Sequence, residues 1–164
     1  MLLERLPLAE DFTVVDLGAG TGYFSLPISR RVSDGRVLAV DIQQEMLDII
    51  SEKKRAEDAN NIETILATET DPRLPLDSVD LVLIVDAYHE FSHPREVVKG
   101  IARGLKPGGK LVLIEYRGED PSVPIKPLHK MTEAQATREM AAAGLRWVET
   151  LDFLPQQHFL VFQK

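Results

Sequence analysis

The chain contains no cysteine. That excludes disulfides, thiolate metal sites and a cysteine nucleophile, and it suits a cytoplasmic protein. An excess of basic charge is also missing, since 19 Lys and Arg stand against 26 Asp and Glu for a formal charge of −7. Nucleic acid and anionic membrane surfaces both select basic protein, so neither is expected as a partner. Long apolar runs are absent, and the longest, residues 81–85, has the length of a strand rather than of a membrane span. Met1 to Pro7 lack the basic-then-apolar layout of a secretory signal. What remains is a cytoplasmic globular protein, and 164 residues suit one domain with a sizeable core.

Apolar and β-branched runs alternate with segments of helical spacing. Strands are expected at residues 13–17, 36–41, 62–66, 79–85 and 110–116, with helices over 20–32 and 43–58 and another beginning at Pro94. Pro121, Pro124 and Pro127 make residues 119–131 a surface loop. Thr132 and Gln135 form a capping pattern for a last helix, Gly144 ends it, and two final strands over 145–151 and 158–163 pair antiparallel. This order predicts a doubly wound α/β fold: a mostly parallel seven-stranded sheet, helices on both faces, and an antiparallel C-terminal edge pair. Residues 1–164 are expected to be a single domain whose N-terminal segment, a short helix or arm over 1–10, is minimal.

In such folds ligands bind outside the carboxyl ends of the strands. The first of these ends carries Asp16-Leu17-Gly18-Ala19-Gly20-Thr21-Gly22-Tyr23, a glycine turn between a strand and a helix. Asp41 follows about 20 residues later, the spacing at which a carboxylate accepts hydrogen bonds from ribose hydroxyls. Ile42 beside it can pack on an adenine face. The turn and the spaced acid imply a nucleoside-bearing cofactor, the other reading being a purely structural turn followed by a solvated Asp. Dinucleotide binders use G-x-G-x-x-G and set a pyrophosphate on the helix dipole. Here the spacing is G-x-G-x-G and Asp16 precedes it, an arrangement that repels pyrophosphate and welcomes an amine.

The stretch Asp16 to Gly22 resembles the first motif of the class I S-adenosylmethionine-dependent methyltransferases. Leu38 to Ile42, Asp77 to Leu83 and Leu105 to Glu115 resemble later motifs of that family in order and spacing. The resemblance implies S-adenosylmethionine as cofactor and S-adenosylhomocysteine as product. It places Gly18, Gly20 and Gly22, with Ala19 and Tyr23 of the same turn, along the methionine portion and Asp16 near its amino end. Asp41 would take the ribose, Ile42 the adenine ring, and Thr68 and Glu69 the adenine amine. Asp86 to His89 would lie where methyl donor faces acceptor. Asp86 would then touch both.

Asp86, Tyr88 and His89 are the candidate catalytic residues. His89 is either a general base or acceptor-orienting donor, or a hydrogen-bonded wall residue, and Tyr88 has the same two readings. Glu115, Tyr116 and Arg117 are either acceptor contacts or a solvated strand end. Lys126, His129 and Lys130 either line a lid or supply ordinary loop charge. His89 to His93 spell H-E-x-x-H, the zinc-protease pattern, but Pro94 disfavours helix at His93, so no metal is expected.

No Asn/Asp-Pro-Pro-Tyr follows the fourth strand, unlike the adenine and glutamine methyltransferases that this family includes. A small organic acceptor is the remaining expectation. With few residues before the first strand, the acceptor side is open to solvent, roofed by a second copy in a homodimer, or shaped for a bulky acceptor. A non-catalytic cofactor-binding module and a nicotinamide-dependent oxidoreductase are the rival readings.

Overall fold

Valine, leucine and isoleucine fill the segments that form the sheet, and most residues of its central strands are buried. The computed structural model describes residues 2–164, and position 1 of the expected N-terminal arm lies outside the described residues. In chain order the elements are α1 (Leu2–Arg5), β1 (Thr13–Leu17), α2 (Ser25–Ser29), β2 (Arg36–Asp41), α3 (Gln44–Ala56), β3 (Ile62–Leu66), β4 (Val79–Val85), α4 (Pro94–Gly104), β5 (Leu105–Arg117), β6 (Lys130–Met131), α5 (Glu133–Ala142), β7 (Arg146–Thr150) and β8 (Gln157–Gln163). Single 3-10 turns lie at Tyr88–Glu90 and Pro127–His129.

The sheet runs β3-β2-β1-β4-β5-β8-β7, with β6 paired to β5 off this path. Neighbours from β3 to β5 are parallel, and β8 lies antiparallel between β5 and β7. The doubly wound, mostly parallel sheet and its antiparallel C-terminal pair are therefore present. The two-residue β6 raises the strand number from the expected seven to eight.

Successive side chains of a strand point to opposite faces. Val14 packs in the layer that holds Leu26 and Ile28 of α2 with Leu47 and Ile50 of α3. Val15 packs in the other, with Val97, Val98 and Ile101 of α4 and Ala136 and Met140 of α5. Burial on both faces explains why these strands read as continuous apolar runs. Among the described residues no helix is long and apolar enough to cross a membrane.

Three boundaries depart from expectation. The helix expected over 20–32 is only Ser25–Ser29, because Gly20 and Gly22 adopt φ of +52° and +81° and a right-handed helix can start only beyond them. Pro27 falls in its first turn, where a missing N–H costs little. Strand β5 begins at Leu105 rather than 110, drawing Lys106 to Gly109 alongside β4 through a register shift. The 119–131 loop is closed at its neck, where the Gly118 N–H donates to the Met131 carbonyl at 2.9 Å. Elsewhere the signals hold. Pro94 opens α4, the Thr132 hydroxyl accepts from the Gln135 N–H at 3.1 Å, and Gly144 follows α5.

The chain winds outward from β1 to β3 and then crosses back to β4. The strand ends part at this reversal, and a crevice opens between the turns after β1 and β4.

Candidate functional site

The carboxyl ends of β1 to β4 enclose a cavity of about 490 Å³, within the range of small-molecule sites. Gly18 and Gly20 line it from β1, Asp41 and Ile42 from β2, Thr68 and Glu69 from β3, and Asp86 from β4. Met46, Phe91 and Val97 add apolar wall. Seven of the expected cofactor residues thus meet at one cavity.

Backbone conformation builds the first wall. Gly18 sits at φ +77°, and a Cβ there would stand 2.9 Å from the Ala87 Cβ, so a larger residue would force the ends of β1 and β4 apart. A Cβ on Gly20 would meet nothing within 4 Å, which leaves open cavity above it. The N–H groups of Gly18 and Ala19 both donate to the Val40 carbonyl, at 2.9 and 3.1 Å, and that of Gly22 donates to Ala19 at 2.9 Å. The Gly20 N–H donates to Asp41 Oδ2 at 2.9 Å, and Asp41 Oδ1 accepts from the Gln43 N–H at 3.0 Å. The N–H groups of Gly18, Ala19, Gly20 and Gly22 are thereby spent inside the chain. Each Asp41 oxygen keeps a further lone pair for a hydroxyl.

Four expected cofactor residues stand behind this wall rather than in it. Asp16 is 3% exposed, and its Oδ2 accepts from the Ser25 hydroxyl at 2.6 Å, tying β1 to the start of α2. Burial pushes its carboxyl up to about 6. Ala19 is buried, and Gly22 gives room to Ile50, whose Cγ1 would lie 3.0 Å from an added Cβ. Tyr23 is 78% exposed and packs edge-on against Phe24.

On the opposite wall Asp86 has φ of +48°, a conformation uncommon for a residue with a side chain. Its Oδ2 accepts from Gln157 Nε2 at 2.6 Å. Its Oδ1 is buried with no hydrogen-bond partner among the described residues, and burial raises the carboxyl above the usual range. A strained backbone and an unpaired buried acceptor are features that cluster at functional sites. Glu69 closes the rim, accepting from the Ser92 hydroxyl at 3.0 Å.

Tyr88 is not at the cavity. Its ring lies in the core beside α5 and its hydroxyl donates to Glu139 Oε2 at 2.7 Å; burial, with that hydrogen bond, drives the phenol well above its ordinary value. The expectation that it acts on an acceptor is corrected, because its one polar atom is engaged on the far side of the turn. His89 is not among the residues that line the cavity, although Glu90 beside it is, and the His89 side chain is 8% exposed. Its Nδ1 is 2.6 Å from Glu115 Oε2, and Glu115 Oε1 accepts the Tyr88 N–H at 2.7 Å. Glu115 is neither acceptor contact nor solvated strand end. It is buried beneath the turn, and burial raises its carboxyl.

His129, from the loop, brings Nδ1 to 3.1 Å from His89 Nε2. His93 instead precedes α4 outside helical geometry, with Nδ1 3.0 Å from the Ser92 hydroxyl, so the H-E-x-x-H pair does not assemble. Arg117 donates to the carbonyls of Leu154 and Gln157 at 3.0 and 3.2 Å and does not line the cavity. Gln157, Met46 and Phe91 carry no functional signal in the sequence, yet Met46 and Phe91 line the cavity and Gln157 meets Asp86. Gln157 reaches Asp86 only because β8 pairs with β5 in a register that sets it opposite Tyr116, and no local pattern announces that.

Residues 14–109 match the family model described as "Methyltransferase domain". The uncharacterized methyltransferase YcgJ of Bacillus subtilis (strain 168) is 28% identical over 85% of this chain and 55% of its own length. The ubiquinone/menaquinone biosynthesis C-methyltransferase of Enterobacter sp. (strain 638) is 32% identical over 80% of this chain and 52% of its own. The chain thus spans about half the length of these curated relatives. The crystal structure of a SAM dependent methyltransferase from Aquifex aeolicus has a TM-score of 0.90 at 26% identity, over 99% of this chain and 87% of that one.

Proposed function

The chain belongs to the methyltransferase-domain family, and from that premise we propose that it moves a methyl group from S-adenosylmethionine to a small organic acceptor. One observation carries this reading: Gly18, Ala19 and Gly20 of the turn spend their N–H groups on Val40 and Asp41. That leaves carboxylates, rather than an anion cradle, facing the cavity at Asp41 and Asp86. Such a cavity suits a ribose and a cationic, amine-bearing group, and it opposes the pyrophosphate of a nicotinamide dinucleotide.

When bound, the cofactor supplies a methyl group on a positively charged sulfur, so the protein's work is alignment and exclusion of water. Asp41 holds the ribose hydroxyls through its free lone pairs. Ile42, Met46 and Phe91 offer apolar surface to the adenine, and Thr68 and Glu69 lie on the rim for its amine. Asp86, which lines the cavity beyond β4, is the carboxylate assigned to the positive end. Asp16, Ala19, Gly22 and Tyr23 act indirectly, by fixing the shape of the turn. His89, whose Nδ1 meets Glu115 and whose Nε2 meets His129, is the candidate general base on the acceptor side.

The C-methyltransferase relative, which serves ubiquinone and menaquinone biosynthesis, supports a small organic acceptor. The acidic charge argues against nucleic acid and membrane as partners, and a chain without cysteine suits the cytoplasm as compartment. The chain is read as one domain, and a second copy in a homodimer is the proposed cover for the acceptor side.

A screen of small hydroxyl, amine and acidic-carbon acceptors with methyl-labelled donor tests this reading. Label transfer with stoichiometric S-adenosylhomocysteine is the expected result. Tight binding of S-adenosylhomocysteine without transfer to any acceptor would favour a non-catalytic binding module instead.

A further inference from the structure

His89, Glu90 and His129 bring two imidazole nitrogens and a carboxylate oxygen within 4.8 Å of one another. His89 Nε2 is 3.1 Å from His129 Nδ1 and 3.9 Å from Glu90 Oε1. Zinc–nitrogen bonds of about 2.0–2.1 Å place two nitrogens roughly 2.9–3.4 Å apart for angles between perpendicular and tetrahedral. The two imidazole nitrogens already stand at the separation that a shared ion requires. Glu90, whose side chain is 69% exposed, is free to swing in.

The buried Glu115 sharpens this. Its carboxylate faces His89 Nδ1 at 2.6 Å and accepts the proton there, which leaves the Nε2 lone pair turned to His129. Two lone pairs cannot face each other at 3.1 Å, so either a proton on His129 or a cation must lie between them. A carboxylate behind a histidine whose other nitrogen is a ligand is the outer-shell arrangement of zinc sites.

We propose that His89 Nε2, Glu90 and His129 Nδ1 bind one divalent transition-metal ion, zinc being the ion whose ligand preferences this His-His-Glu set matches. Three protein ligands leave a fourth position open. The ion ties the Pro127–His129 turn to the Tyr88–Glu90 turn and so clasps the loop across the rim of the cavity, which Glu90 also lines. Binding of the ion is independent of the methyl-transfer reading, and only the use of its open position by an acceptor rests on it.

The test is a titration of chelator-treated protein with cobalt(II), followed through its visible ligand-field bands and reversed by zinc. One equivalent is expected to bind with the intensity of a four-coordinate site. His129→Ala, in a surface turn, abolishes saturable binding, and Glu115→Gln weakens it about 10- to 100-fold. His93→Ala leaves it unchanged, which separates this site from the H-E-x-x-H pattern. Absence of a one-equivalent site in the unmodified protein, or unaltered binding in His129→Ala, overturns the proposal. Calorimetry with S-adenosylhomocysteine on the same sample keeps the two readings apart, since either ligand can bind where the other fails.

Discussion

The wall made by the glycine turn and the end of β2 differs from the rim made by the Tyr88–Glu90 turn, β5 and the 119–131 loop in what holds it together. In the wall, Gly18 and Gly20 take positive φ, their N–H groups are met by Val40 and by Asp41, and the partners lie in consecutive strands. At the rim, Glu115 reaches His89 across 26 residues, His129 reaches it across 40, and Gln157 reaches Asp86 across 71. The wall is a property of the backbone, able to exist as soon as β1 and β2 pair. The rim exists only when the whole sheet has formed. A cofactor common to many reactions suits the first kind of construction, and an acceptor peculiar to one reaction suits the second.

The largest expected effect falls on the rim. Glu115→Ala strips the Tyr88 N–H and the His89 ring of their buried partner and is expected to cost about 3–5 kcal/mol in urea unfolding, with S-adenosylhomocysteine binding retained. Loss of binding in the folded variant would erase the distinction between the two regions.

Asp16 comes next. Its carboxyl stands at about 6 in the folded protein against 3.8 ordinarily, so the folded state holds this proton more tightly than the unfolded one. Its contribution to stability is full below pH 3.8 and is lost as pH rises through about 6. The difference is about 3 kcal/mol at about 1.4 kcal/mol per pKa unit. Asp16→Asn is therefore expected to be more stable than the parent at pH 7, with the two converging near pH 4, in unfolding curves taken across that range. A parent whose stability does not fall relative to Asp16→Asn as pH rises would show that the buried carboxyl is not strained.

Asp41→Ala removes a charged acceptor worth about 1.5–3 kcal/mol, or roughly a 10- to 150-fold loss of S-adenosylhomocysteine affinity by calorimetry, and leaves the fold intact. Unchanged affinity would move the ribose away from β2. The smallest effect is expected for Tyr88→Phe, which loses one hydrogen bond to Glu139, about 1 kcal/mol, and keeps its turnover. A collapse of turnover without a change in stability would return Tyr88 to the chemistry.

The same contrast decides what could be read from the chain. Strands β1 to β4, the turn at Gly18 and Gly20 and the carboxylate of Asp41 were legible, because alternating burial, glycine at positive φ and a strand-end acid are each encoded within a few residues. The short α2 was missed for a local reason, the φ demanded by Gly22. Glu115 looked like the end of a strand, and only the turn folded over it buries the carboxylate. His129 sat among lysines and prolines with nothing to say that its ring would meet His89. Tyr88 stands next to true rim residues in the chain, yet the 3-10 turn sends its side chain into the opposite layer. Contacts between distant segments have no signature in a single sequence, and the rim is made of them.

The most direct test of the central claim, that the wall beside Asp41 is a site for S-adenosylmethionine, is calorimetric titration of the protein with S-adenosylhomocysteine and, separately, with NAD. Micromolar binding of S-adenosylhomocysteine with no heat from NAD is the predicted result, whereas binding of NAD with none of S-adenosylhomocysteine would contradict it.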